Sequence, residues 1–159
     1  MRIIVISDTH GNFKTLWDIV DKHQNDAQTI VFLGDGLREL EDVITLYPKL
    51  DFKYVAGNCD YASTAKRTDA FWAEGKKILF THGDSYGVKY SVDRLISAAR
   101  ENHADIALFG HTHCGITEYH DGLYLMNPGS PSCPRNAKSS YGIIDIAPAG
   151  IALNLVMLP

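Results

Sequence analysis

Five times along this chain a short apolar run ends in one small residue, and the next side chain can bind a metal. Ile3–Ile6 leads through Ser7 to Asp8, Ile30–Leu33 through Gly34 to Asp35, and Tyr54–Ala56 through Gly57 to Asn58. Ile78–Phe80 leads through Thr81 to His82, and Ile106–Phe109 through Gly110 to His111. Short apolar runs rich in β-branched and aromatic residues read as buried strands. Counted from His10, successive ligands stand 25, 23, 24 and 29 positions apart. That is about one strand plus its return, so the ligands are expected at one edge of the sheets, where the loops of α/β folds converge. The small residues let the backbone turn tightly beside a bound ion. The pairs Asp8-Thr9-His10 and His111-Thr112-His113 add two donors, because an i, i+2 spacing in extended or turning backbone aims both side chains the same way.

Helical spacing separates several of these runs. Phe13, Leu16, Ile19 and Val20 predict a helix with Asn12 as its cap, and Leu37, Leu40, Val43, Ile44 and Tyr47 predict a second, stopped by Pro48. Val88, Val92, Leu95, Ile96 and Ala99 predict a third. Strands are expected over 2–6, 29–33, 52–55, 78–80 and 106–109, with a short one at Phe71-Trp72. Asp121-Gly122 marks a hairpin between Ile116–His120 and Leu123–Met126, and Pro148-Ala149-Gly150 joins Tyr141–Ile146 to Ile151–Met157. The expected architecture is one α/β domain over residues 1–159 with two sheets, the later one mostly antiparallel.

Composition limits the partners. Hydrophobic residues make up 45% of the 159 and charged residues 21%, the balance of a soluble globular chain. A net charge of -4 without a basic stripe argues against nucleic acid or a membrane surface as partner. No apolar stretch approaches the roughly 18 residues of a membrane span, and the run after Met1-Arg2 is too short for a signal peptide. Cys59, Cys114 and Cys133 are odd in number and lack framework spacing, which predicts reduced thiols and a cytoplasmic setting.

Two carboxylates, one amide and four imidazoles suit borderline divalent ions such as Mn²⁺, Fe²⁺, Zn²⁺ or Ni²⁺. The lack of a cysteine-rich cluster argues against a structural zinc. Two such ions beside two aspartates leave a positive site, even with a bridging hydroxide, and that site matches a phosphate anion. Each block alone has a plainer explanation. Asp8 reads as a helix cap, and Gly34-Asp35-Gly36, Gly57-Asn58 and His82-Gly83 read as turns. Their joint recurrence after strands, in order, outweighs those explanations.

Asp8-Thr9-His10, Gly34-Asp35, Gly57-Asn58, His82-Gly83-Asp84 and Gly110-His111-Thr112-His113 together resemble the ordered motifs of calcineurin-like metallophosphoesterases. Gly57-Asn58-Cys59-Asp60 and the short chain look most like the small prokaryotic phosphodiesterases of the YfcE type, and Asn127-Pro128-Gly129-Ser130 extends the match. The resemblance implies a four-layer α/β/β/α sandwich, two mixed β-sheets flanked by helices. It implies that Asp8, His10 and His113 bind one metal, that Asn58, His82 and His111 bind a second, and that Asp35 bridges them. Mn²⁺ is the first expectation for both. The implied activity is hydrolysis of a small-molecule phosphodiester, with Asp8, Asp35, Asn58, His82 and His111 carrying the chemistry.

One position departs from the pattern. Many relatives carry a histidine after the asparagine, which protonates the leaving group or binds phosphate; here it is Cys59. A thiol replaces imidazolium poorly in either role, which favours diesters with a good leaving group. The Cys59 side chain is expected to point away from the ligands, as is that of Cys114. Asp60 loses its histidine and is expected to support the ligands from behind. Asp84 is expected to accept the outward ring N–H of a metal-bound imidazole, and Ser130 to reach substrate. Arg135 and Lys138 are expected to solvate their loop. The competing reading is a protein-interaction scaffold that keeps the fold, as the retromer subunit resembling this family does. A homo-oligomer is open. The loops 61–68, 85–89 and 130–138 show no recognisable reader of base, sugar or lipid.

Overall fold

Successive side chains of a strand point to opposite faces, so the uniform apolar run of β1 (Arg2–Ile6) must be covered on both sides. Ile3 and Val5 enter one buried cluster with Val31, Phe80, Ile106, Leu108 and Ile144. Ile4 and Ile6 enter another, with Leu16, Ile19, Val20, Phe32, Leu40 and Val43. These four β1 side chains are wholly buried, so truncating one to alanine costs about 2–5 kcal/mol. The computed structural model describes residues 1–135 and 138–159. The expected loop 130–138 therefore falls partly outside the described residues.

The strands β2 (Thr29–Phe32), β3 (Asp51–Tyr54), β9 (Ser140–Ala147) and β10 (Gly150–Met157) join β1 in a five-stranded sheet of order β10-β9-β1-β2-β3. A second sheet has the order β4-β5-β6-β8-β7. Its strands are β4 (Thr68–Ala73), β5 (Lys76–Thr81), β6 (Ile106–Leu108), β7 (Gly115–His120) and β8 (Leu123–Pro128). The helices α1 (Phe13–His23) and α2 (Leu37–Leu46) cover the outer face of the first sheet. The helix α3 (Asp93–Glu101) covers that of the second through Leu95 and Ala99. The result is the expected α/β/β/α sandwich, with the first cluster as the filling between the sheets.

Local signals are met closely. Asn12 caps α1, accepting the Thr15 N–H at 3.1 Å, and α2 ends at Tyr47 before Pro48. Three expectations need correction. The third helix starts only at Asp93, because Gly83 and Gly87 adopt positive φ around a 3-10 turn at Asp84–Tyr86; Val88 shares the core without sharing the helix. The strand at Phe71-Trp72 runs over six residues, paired in register with β5. The later sheet is evenly mixed, since β5-β6 and β6-β8 are parallel while β4-β5 and β7-β8 are antiparallel. The final hairpin does not join it, and β9 instead lies antiparallel to β1. Hairpin residues specify only their own pairing, and the outer partner is chosen by which apolar face completes the core.

Candidate metal centre

All seven expected ligands meet at the carboxyl ends of β1, β2, β3, β5 and β6 and the turns that follow. Asp8, His10, Asp35, His111 and His113 hold positive φ between 46° and 67°. Left-handed backbone at residues other than glycine costs of order 1–3 kcal/mol each and persists where the surroundings enforce it. Backbone bonds between the turns do so: Asp8 N–H to Gly34 O at 3.0 Å, His10 N–H to Asp35 O at 2.9 Å, and Gly110 N–H to His82 O at 2.9 Å. The small residues prove to serve contact between these turns. A Cβ on Gly57 would lie 2.1 Å from Asp35 Oδ1, and one on Gly110 would lie 2.0 Å from Ser7 Oγ.

The ligand atoms form two groups. In the first, His113 Nε2 lies 3.2 Å from Asp8 Oδ1 and 3.1 Å from His10 Nε2, which is 3.8 Å from Asp8 Oδ1. In the second, His82 Nε2 lies 3.0 Å from Asn58 Oδ1, 3.1 Å from His111 Nδ1 and 3.4 Å from Asp35 Oδ2. Asp35 Oδ2 is also 3.8 Å from His10 Nε2, which puts it between the groups. Two atoms each about 2.1 Å from one ion stand at most about 4.2 Å apart, so every one of these separations fits shared coordination. Ring nitrogens facing each other at 3.1 Å share at most one proton, which leaves lone pairs turned inward. Asp8 Oδ1 is buried and has no hydrogen-bond partner among the described residues, with His113 Nε2 3.2 Å away. A buried carboxylate oxygen left so is costly, and a cation would satisfy it. The donor set therefore fits divalent metal.

Charge is tightly coupled here. Burial alone would raise the Asp35 carboxyl, but the His82 ring and the Cys59 N–H, 2.7 Å from Oδ1, hold it well below the usual carboxylate range. Burial alone would lower His82, but Asp35 and Asp8 lift it above its ordinary value. The Asp8 carboxylate lifts His113 against its own burial. Burial, then the charges of His82 and Lys89, lower His111. Without metal the carboxylates thus favour protonated His82 and His113 more than burial alone would.

Behind the ligands the supports differ from expectation. His82 Nδ1 donates to Leu33 O at 2.7 Å and His113 Nδ1 to Cys133 O at 2.6 Å. Backbone carbonyls take the place expected for Asp84, whose carboxylate lies 3.4 Å from Arg67 Nη1. Ser130 is wholly buried and donates to Asp8 O at 2.7 Å, so it braces a ligand turn and does not face substrate. Cys59 does not turn away: its thiol joins His10 and Asp35 in a group whose ligand atoms lie within 4.8 Å. Cys114 does turn aside, its Sγ bonding Arg135 O at 2.9 Å. Asp60 supports Asp35 from behind, accepting four backbone N–H bonds. One clamping residue escaped the sequence reading, and another was read only as part of the Asn127–Ser130 match. Glu39, buried on α2, accepts Thr9 Oγ1 at 2.6 Å and Gly11 N–H at 2.7 Å, and so clamps the His10 turn. Asn127 donates to Gly110 O and Thr112 Oγ1, clamping the His111 turn. A glutamate on an amphipathic helix carries no signal of burial in one sequence.

A family model described as the calcineurin-like phosphoesterase superfamily domain matches residues 1–148. A probable metallophosphoesterase of Bacillus subtilis, YsnB, is 35% identical over 92% of this chain and 85% of its own. The phosphodiesterase YfcE of Escherichia coli is 27% identical over 91% of this chain and 88% of its own. A predicted phosphoesterase of Streptococcus pneumoniae superposes with a TM-score of 0.87 at 24% identity, covering 98% of this chain and 88% of that one.

Proposed function

The chain belongs to the calcineurin-like phosphoesterase superfamily, and on that footing we propose that it is a phosphodiesterase working with two divalent ions, Mn²⁺ foremost. The observation that carries this reading is Asp35 Oδ2, placed between a group of Asp8, His10 and His113 and a group of Asn58, His82 and His111. Those groups would hold one ion each, with Asp35 shared. When bound, the ions supply Lewis-acid charge for the phosphoryl oxygens and lower the pKa of water.

The chain's own residues do the rest. The imidazole protons at His82 Nδ1 and His113 Nδ1, given to backbone carbonyls, fix each tautomer so that Nε2 stays free to ligate. The Asp8 and Asp35 turns are held rigid by bonds between loops, so the donors are preorganised. Cys59 lies beside Asp35 and His10 as a weak acid, which leaves the departing alcohol to protonation by water and favours diesters over monoesters. The 27% identity to the phosphodiesterase YfcE supports the diester assignment. Free thiols at Cys59, Cys114 and Cys133 support a reducing compartment.

The test is hydrolysis of bis-p-nitrophenyl phosphate with and without Mn²⁺, with Asp35→Ala and His82→Ala as comparisons. Metal-dependent turnover lost in both variants sustains the proposal. No turnover with any of Mn²⁺, Fe²⁺, Zn²⁺ or Ni²⁺ would overturn it and leave the scaffold reading.

A further inference from the structure

Two cavities open beside the centre on the α2 side. One, of about 240 Å³, is bordered by His10, Asp35, Glu39 and Cys59. The other, of about 470 Å³, runs along Leu37 and Glu41 to Tyr61. Arg38, Cys59 and Asp60 line both, so the two adjoin and lead from the ligands outward. The larger falls within the roughly 300–1,000 Å³ of small-molecule sites. An ester arm leaving the centre on this side enters it.

The charges along this cleft are unequal in what they are free to do. The Asp60 oxygens are taken by four backbone N–H groups, and Glu39 Oε1 by Thr9 and Gly11. Arg38 is the cation of both linings and is exposed; among the described residues it makes no ion pair and no hydrogen bond. A guanidinium free of partners presents a planar fork suited to phosphate. Glu41, exposed at the outer end, opposes an anion there and so confines one to the stretch between Arg38 and the centre. Tyr61, 89% exposed, stands at the far wall as a flat apolar face with room to stack.

We infer that this cleft receives one arm of the diester and that the arm is a nucleotide, its ring on Tyr61 and a further phosphate on Arg38. The inference rests on the phosphodiesterase reading and deepens it from diester to nucleotidyl diester. Arg38 and Tyr61 are then residues that determine specificity.

The experiment compares the thymidine dinucleotide with and without a 5′-phosphate as substrates of the Mn²⁺-loaded protein. The wild type prefers the 5′-phosphorylated dinucleotide. Arg38→Ala lowers that preference about tenfold, as loss of a charge-assisted hydrogen bond does, and Arg38→Lys keeps part of it. Tyr61→Ala raises KM for both dinucleotides together, and Tyr61→Phe restores it. A wild type indifferent to the 5′-phosphate, or a preference unchanged in Arg38→Ala, overturns the inference. Turnover of bis-p-nitrophenyl phosphate without either dinucleotide overturns it too, and leaves the phosphodiesterase reading standing. Should no diester turn over, that reading fails instead. Calorimetric titration with thymidine 3′,5′-bisphosphate then decides: tenfold weaker binding to Arg38→Ala sustains the cleft, and equal binding overturns it.

Discussion

Asp60 Oδ2 accepts the backbone N–H of Asp35 at 2.8 Å, and the same oxygen accepts that of Gly57 at 2.8 Å. Its other oxygen accepts the N–H groups of Gly36 and Leu37 and so caps α2, which has no side-chain cap of its own. One carboxylate thus ties the Asp35 turn, the Asn58 turn and a helix N-terminus. Asp60→Ala should destabilise the protein by about 2–3 kcal/mol. Asp60→Asn should do nearly the same despite its shape, because one acceptor becomes a donor facing donors. Thermal unfolding and metal titration check this; an unchanged Tm in both variants would remove Asp60 from the frame.

Gly57→Ala should weaken metal binding as well as the fold. The new Cβ meets Asp35 Oδ1 at 2.1 Å and the Asp35 backbone nitrogen at 2.5 Å, and the backbone cannot swing aside. Overpacking of this kind costs about 1–3 kcal/mol. Denaturant unfolding and calorimetric Mn²⁺ titration measure the two effects. Native metal affinity in this variant would show that the contact between the turns is not what aligns Asp35.

Cys59→His places an imidazole beside His10 and Asp35. If protonation of the leaving group limits turnover, the ratio of p-nitrophenyl phosphate to bis-p-nitrophenyl phosphate hydrolysis should rise, by about 10²-fold at the low end of general-acid effects. An unchanged ratio would mean that the thiol does not set the preference for diesters.

Metal affinity should fall with falling pH. His82 and His113 have pKa values lifted above the ordinary 6.5, and an ion must displace their protons. The loss should begin above pH 6.5 and reach about tenfold per pH unit for each proton displaced. His111 is lowered and adds nothing in that window. For the metal-free protein the sign reverses. A raised histidine contributes stability that is complete below about pH 6.5 and fades as pH climbs through its folded pKa. Metal-free protein should therefore melt earlier at pH 8 than at pH 6, and added Mn²⁺ should raise Tm most at pH 8.

The convergence of the seven candidate ligands was legible because five of them follow apolar runs at strand ends, even though β3 itself is only partly buried, and strand direction alone sends their turns to one edge. The i, i+2 pairs carried His10 and His113 along with Asp8 and His111. The membership of the sheets was less legible. Nothing local in Tyr141–Ile146 says that β9 pairs with β1 and not with the strands just before it, because that choice depends on apolar faces remote in sequence. The start of α3 was hidden for a similar reason, Val88 being buried by Gly83 and Phe109 and not by helical periodicity.

By itself the amino-acid order determined which donors exist and in what sequence they leave the strands. Those are properties of continuous apolar runs and of side-chain chemistry, both carried by neighbours along the chain. The tertiary structure alone decided that the Cys59 thiol faces the centre, that Asp60 and Glu39 bind backbone N–H groups and the Thr9 hydroxyl, and that Arg38, beside the centre, makes no ion pair or hydrogen bond among the described residues. Orientation and pairing of polar groups depend on partners brought together only by packing two sheets face to face. Asp60 meets the Asp35 turn across 25 residues, and Thr9 meets Glu39 across 30. Contacts of that range follow from the folded arrangement of the turns, and periodicity along the chain does not encode them.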